Sequence, residues 1–159
     1  MDDHATIREK IAAPAPTAPA REHAVSLGET TGLYLAVSAG AILGAVARAL
    51  AALVAVAWLG DAFPIGTLFV NVAGSFIIGY FAALTEPGGR IMASTRLRQF
   101  VMTGFCGGFT TFSTFSLETL MFVRAGDIHL AGGYVVVSSV TWLFAVWLGA
   151  TLAMRFNRM

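Results

Sequence analysis

The sequence predicts an all-α membrane protein of four transmembrane helices, the third of them interrupted in mid-membrane. Three observations predict it. The 159 residues are 57% hydrophobic and only 12% charged, with a mean hydropathy of +0.74, well outside the composition of a water-soluble domain. Four apolar segments, at about 33–59, 64–84, 97–123 and 128–154, are each at least as long as the ~20 residues a helix needs to cross hydrocarbon. None of the four alternates polar and apolar residues as a barrel strand does, so backbone groups that lipid cannot satisfy must pair within helices.

Residues 1–31 mix acids and bases around the run Ala12-Ala13-Pro14-Ala15-Pro16-Thr17-Ala18-Pro19-Ala20. Too few large apolar groups stand there to offset the entropy of ordering, so a disordered tail is expected, followed by a transmembrane domain over 32–159. The tail lacks the basic-then-apolar layout of a cleavable signal, and the first span is expected to serve as an uncleaved anchor. Pro64 suits the start of the second helix, where its missing N–H costs nothing. Gly60-Asp61 and Glu86-Pro87-Gly88-Gly89 are turn chemistry between spans.

Arg90, Arg96 and Arg98 flank the second connector and Arg155 and Arg158 the end, against Arg124 alone in the third connector. This bias places both termini in the cytoplasm. Gly40 and Gly44, Ala41 and Ala45, and Gly104 and Gly108 sit at helical spacing and allow close backbone approach, either within one chain or between chains. Four helices enclose little space alone, so an oligomer is expected.

Several function classes fall away. A net charge of +1 with no basic run or stripe gives nothing with which to recruit nucleic acid. Cys106 is the single cysteine, cannot form an intrachain disulfide, and reads as a small packed residue. No Ser/His, Asp/Asp or His/Glu constellation falls within the spans, so the chain is not expected to be an enzyme.

Polar residues inside the spans carry the functional signal. Arg48 lies well within the first span and must face a wet cavity or a protein partner, or else reach a surface; an aqueous mouth that attracts anions is the preferred reading. Asn71, mid-way along the second span, either bonds between helices or lines a pore with an amide that can donate to an anion. The third span holds Gly104-Phe105-Cys106-Gly107-Gly108-Phe109-Thr110-Thr111-Phe112-Ser113-Thr114-Phe115-Ser116-Leu117-Glu118. Adjacent glycines lower helix propensity and the hydroxyls that follow compete for backbone partners, so the helix is expected to break there. Broken backbone at membrane depth must be buried in protein or line a cavity, where freed carbonyls can hold a cation such as Na⁺. Phe112 and Phe115, three apart, share one helical face, a spacing that taken alone more often serves core packing than an ion path.

These residues resemble the fluoride channels of the CrcB or Fluc type. The likeness rests on Gly107-Gly108-Phe109-Thr110-Thr111-Phe112-Ser113-Thr114-Phe115-Ser116 with Glu118, on Gly66-Thr67-Leu68-Phe69-Val70-Asn71, and on Gly44-Ala45-Val46-Ala47-Arg48. It covers all four spans and leaves out the tail. The resemblance implies a dual-topology, antiparallel homodimer in the cell membrane with two fluoride pathways, lowering cytoplasmic fluoride by passive, electrogenic efflux. It implies a structural, non-transported Na⁺ at the dimer centre, held by the main-chain carbonyls of Gly107 and Thr110 from both subunits. By the same resemblance Phe112, Phe115, Asn71, Ser113, Thr114, Tyr134 and Ser138 line the fluoride pathway, while Arg48 and Glu118 stand at the vestibule.

Hydroxyls, an amide and ring edges suit fluoride, whose tightly held water must be replaced by many weak donors rather than one deep cationic well. The arginine bias is stronger than dual insertion suggests, which leaves open a heterodimer with an inverted homologue. The rival functions are a small coupled transporter or exporter and a non-conducting assembly subunit. A coupled exporter needs a membrane-embedded carboxylate, for which Glu118 is the only candidate in the spans.

Overall fold

Helix α1, Leu27–Leu59, runs for 33 residues, about 50 Å at the α-helical rise and so longer than the hydrocarbon is thick. It belongs to a computed structural model that describes residues 27–60, 63–87, 89 and 91–159. Most of the expected tail lies outside the described residues. Leu27 to Thr31 do not belong to a tail but form the first turns of α1, where Glu29 suits the positive end of the helix and Thr31 Oγ1 donates to the Leu27 carbonyl at 2.8 Å. The helix ends at Gly60, whose φ of 78° is left-handed and favours glycine.

Helix α2, Ile65–Leu84, begins one residue later than expected, with Pro64 at its N-cap. Residues of the third predicted span fall in two helices. The first, α3, covers 95–109 without interruption: Thr95–Arg98 is α-helical, Gln99–Cys106 is wound as π-helix and Gly107–Phe109 is α-helical again. Helix α4 is Phe112–Arg124, 13 residues. Between them Thr110 (φ −82°, ψ 160°) and Thr111 (φ −150°, ψ 116°) are extended. A C-terminal motif closes α4, with Asp127 N–H donating to the Phe122 carbonyl at 2.9 Å and Gly126 at φ 88°. Helix α5, Ile128–Arg158, runs four residues past the expected end at Met154, its last turn carrying Arg155 and Arg158. Asn157 ties that turn to α2, donating to the Ala83 carbonyl at 2.9 Å.

The described elements are all helical, and three of them, α1, α2 and α5, are long and apolar enough to cross a membrane. The protein is a membrane protein. Long apolar side chains such as Leu43, Leu53, Val136 and Leu143 stay exposed, as lipid-facing surfaces allow.

Glycines decide how the helices dock. A Cβ on Gly40 would lie 2.3 Å from the Phe100 carbonyl oxygen, and one on Gly44 2.2 Å from that of Phe105; from the other side, one on Gly108 would lie 2.4 Å from the Ala41 oxygen. Small residues thus bring α1 and α3 into backbone contact within one chain. Gly79 and Gly149 do the same for α2 and α5, against the carbonyls of Val146 (2.3 Å) and Phe76 (2.4 Å). The second connector is held by Arg98, which donates to the carbonyl and to the hydroxyl of Thr85.

Candidate functional site

The expected double-glycine break falls elsewhere: Gly107 and Gly108 stay helical, and the chain opens after Phe109. The physical reason lies in the packing. Gly108 is needed for its contact with Ala41 rather than for backbone freedom, and the helix start that follows is specified by a threonine. Thr111 caps α4, its Oγ1 accepting from the Thr114 N–H at 3.1 Å and donating to Thr114 Oγ1 at 2.9 Å.

Two side chains from other helices hold this opening. Asn71, buried on α2, donates from Nδ2 to the Thr111 carbonyl at 3.0 Å and accepts the Thr111 N–H at 2.7 Å through Oδ1. Arg48, half-buried on α1, donates from Nε to the Gly108 carbonyl at 3.1 Å. Both residues singled out for intramembrane polarity are therefore engaged with main chain at the break. For Arg48 the partner is protein, a cation set against the negative end of α3.

Other carbonyls there differ in their partners. That of Cys106 accepts from Thr110 twice, from N–H at 3.0 Å and from Oγ1 at 2.9 Å. Among the described residues no hydrogen bond reaches the carbonyls of Gly107, Phe109 or Thr110. Gly107 is exposed, and no atom lies within 4 Å of where its Cβ would be. No group of three or more His, Cys, Asp or Glu among the described residues could hold a metal ion; the opening itself offers main-chain and threonine oxygens. Free carbonyls of Gly107 and Thr110 fit that chemistry.

A groove of about 310 Å³ runs along the break, with Asn71, Ser75, Gly107, Thr110, Phe112 and Trp142 in its lining. Cys106, buried as expected, also borders it. The two phenylalanines diverge sharply in setting. Phe112 is 72% exposed and Phe115 only 6%, their ring centroids 5.7 Å apart. Phe115 packs on Tyr134 (5.1 Å) and on Trp142 (4.9 Å). Ser113 is exposed and Thr114 half-buried at the start of α4.

Glu118 gathers a second cluster. One carboxylate oxygen accepts from Thr67 Oγ1 and the other from the Tyr134 hydroxyl, each at 2.7 Å. Glu118 also borders a cavity of about 300 Å³ with Thr67, Phe63 and Phe122. Tyr134 and Ser138, one turn apart on α5, are 1% and 0% exposed. The structure thus joins Glu118 to Tyr134 and Asn71 to Thr111, and sets Arg48 against Gly108.

A family model described as CrcB-like protein, Camphor Resistance (CrcB), matches residues 35–150. The chain belongs to the CrcB family. Among its relatives, the Fluoride-specific ion channel FluC 1 of Rhodopseudomonas palustris is 50% identical over 133 residues, 84% of this chain and 94% of the relative. The Fluoride-specific ion channel FluC of Opitutus terrae is 56% identical over 126 residues, 79% and 95% of the two chains. A third, FluC 1 of Bradyrhizobium diazoefficiens, is 51% identical over 127 residues, 80% and 88%. These CrcB relatives are named as ion channels and not as enzymes, in line with the absence of a catalytic constellation from the spans.

Thr67, Thr111 and Trp142 stand outside the site residues predicted from sequence. Thr67 could have been found from its place one turn before Asn71 on the same face of α2. Thr111 has the residue type of an N-cap but no sequence sign that a helix restarts after it. Trp142 follows Ser138 by one turn, a signal that an apolar segment easily hides.

Proposed function

We propose that this chain is a fluoride-selective channel of the cell membrane that lowers cytoplasmic fluoride by passive, electrogenic efflux. The observation that carries the reading is the identity of about half the residues, over nearly the full length of the relatives, with proteins named fluoride-specific ion channels. The site supports it. Hydroxyls, an amide and aromatic edges gather around one opened helix, and Arg48 beside it donates from Nε to the Gly108 carbonyl.

In this proposal the break at Thr110 and Thr111 lies in mid-membrane, and the groove beside it is closed by a second copy of the chain in antiparallel orientation. Exposed Phe112 then faces an ion path that Phe115, Asn71, Ser113, Thr114, Tyr134 and Ser138 continue, with Glu118 at its mouth. A structural Na⁺, bound by the carbonyls of Gly107 and Thr110 from both subunits, would supply positive charge that neutralises main-chain oxygens lipid cannot satisfy. Asn71 and Arg48 hold the neighbouring carbonyls in place. An inverted homologue as the second subunit would meet the same geometric need.

Purified protein in liposomes carrying a fluoride gradient is expected to release fluoride rapidly, with movement of charge, and to retain chloride. Slow, saturable, proton-coupled release would instead identify a transporter.

A further inference from the structure

Tyr134, Ser138 and Trp142 succeed one another at four-residue spacing and form one stripe along α5. The Tyr134 hydroxyl donates a hydrogen bond to Glu118. Ser138 Oγ and Trp142 Nε1 are both buried and have no hydrogen-bond partner among the described residues. The ring of Phe115 covers the stripe, touching the rings on either side of Ser138: its centroid is 5.1 Å from that of Tyr134 and 4.9 Å from that of Trp142, the latter at 73°. Trp142 also lines the groove along the helix break.

An indole N–H only donates, whereas a hydroxyl can turn back onto its own helix. Thr141 and Thr151 on α5 do turn back, bonding the carbonyls of Val137 and Trp147. Trp142 has no such escape, and a buried donor without an acceptor is costly in a membrane, where no bulk water replaces the lost bond. Ser138 was expected in the pathway; Trp142 was not. The acceptor that suits both atoms is small, anionic and able to come and go.

We infer that the Trp142 indole N–H is a fluoride donor in this chain, one turn beyond Ser138, and that the two form a station which the Phe115 ring covers. The inference rests on the channel reading above. Solvent reaches neither donor in this conformation, so the ion enters when the Phe115 ring turns, and ring edge and donors then share the anion. Phe115 and Trp142 meet edge to face, with centroids 4.9 Å apart, so the space a turned ring opens favours fluoride over larger halides.

Two measurements test it. Trp58 and Trp147 are 85% and 59% exposed, so both can be replaced by Phe to leave Trp142 as the only emitting indole of the full chain. Titrating sodium fluoride against sodium chloride at constant ionic strength is expected to give a saturable change in Trp142 emission with fluoride alone. Emission indifferent to fluoride would overturn the inference. In liposomes, Trp142→Phe keeps the ring bulk and removes the donor, and fluoride flux is expected to fall on the order of tenfold, the worth of about one hydrogen bond. Flux equal to that of the unmodified chain would overturn the inference and leave the channel reading standing, whereas an unmodified chain that passes no fluoride would remove the channel reading itself. Should Trp142→Phe fail to assemble, the emission titration decides.

Discussion

The carboxamide of Asn71 both donates to and accepts from the main chain of Thr111, at 3.0 and 2.7 Å. A carboxamide offers a donor and an acceptor in one plane, so the extended Thr111 backbone is held by a residue on another helix.

Asn71→Asp keeps the shape and loses the donor, leaving the Thr111 carbonyl unpaired and adding a charge. A loss of about 1–3 kcal/mol or more is expected, read as a lower midpoint of thermal unfolding in detergent, together with loss of fluoride flux. Retention of both would mean that the break holds itself.

Phe112→Ile and Phe115→Ile separate the two rings. Phe112 is exposed and Phe115 is packed on Tyr134 and Trp142, so only the Phe115 change should lower stability, by about 1–3 kcal/mol for lost contacts and a residual cavity. Both should suppress flux if the rings line the ion path. Normal flux in Phe112→Ile would count against that role.

Gly44→Ala and Gly107→Ala form a second contrasting pair. A methyl at Gly44 meets the Phe105 oxygen at 2.2 Å, while one at Gly107 meets nothing within 4 Å. The first should destabilise the chain by about 1–3 kcal/mol through overpacking. The second should leave the single chain folded and weaken dimerisation, measured by light scattering in detergent, because it stands where the second subunit is proposed to close.

Sodium should raise the unfolding temperature and potassium should not, since a cation that binds only the folded state stabilises it by mass action. Thr110→Ser, which retains the carbonyl, should keep that response. A response lost in Thr110→Ser would point to the side chain instead of the main chain.

Much of this was legible in the sequence because composition and segment length act locally. The apolar segments place α1, α2 and α5 within a few residues at most ends, and the Gly104 to Glu118 stretch marks the opened region. The exact place of the opening was not legible. Gly107 and Gly108 have low helix propensity, yet tertiary contact with Ala41 keeps them helical, and Thr110 and Thr111 open because Asn71 and the Thr111 cap give their main chain better partners. Arg48 could be flagged as costly in lipid, but that its guanidinium would meet the Gly108 carbonyl depends on how α1 docks. The early start of α1 shows the same limit in reverse: Leu27 to Thr31 look polar beside the span that follows, yet continue its helix.

The clamps at the opening span long stretches of chain, 40 residues between Asn71 and Thr111 and 60 between Arg48 and Gly108. Helices that insert into lipid one by one already satisfy their own backbone, so a nascent third segment has every local reason to continue as helix through Thr110. Its opened form becomes favourable only after α1 and α2 have docked beside it, because the loops must close before those contacts can form. The opened form at Thr110 and Thr111 is therefore expected to be the last part of the chain to take shape, and a chain whose first two helices fail to dock is expected to carry a continuous helix there.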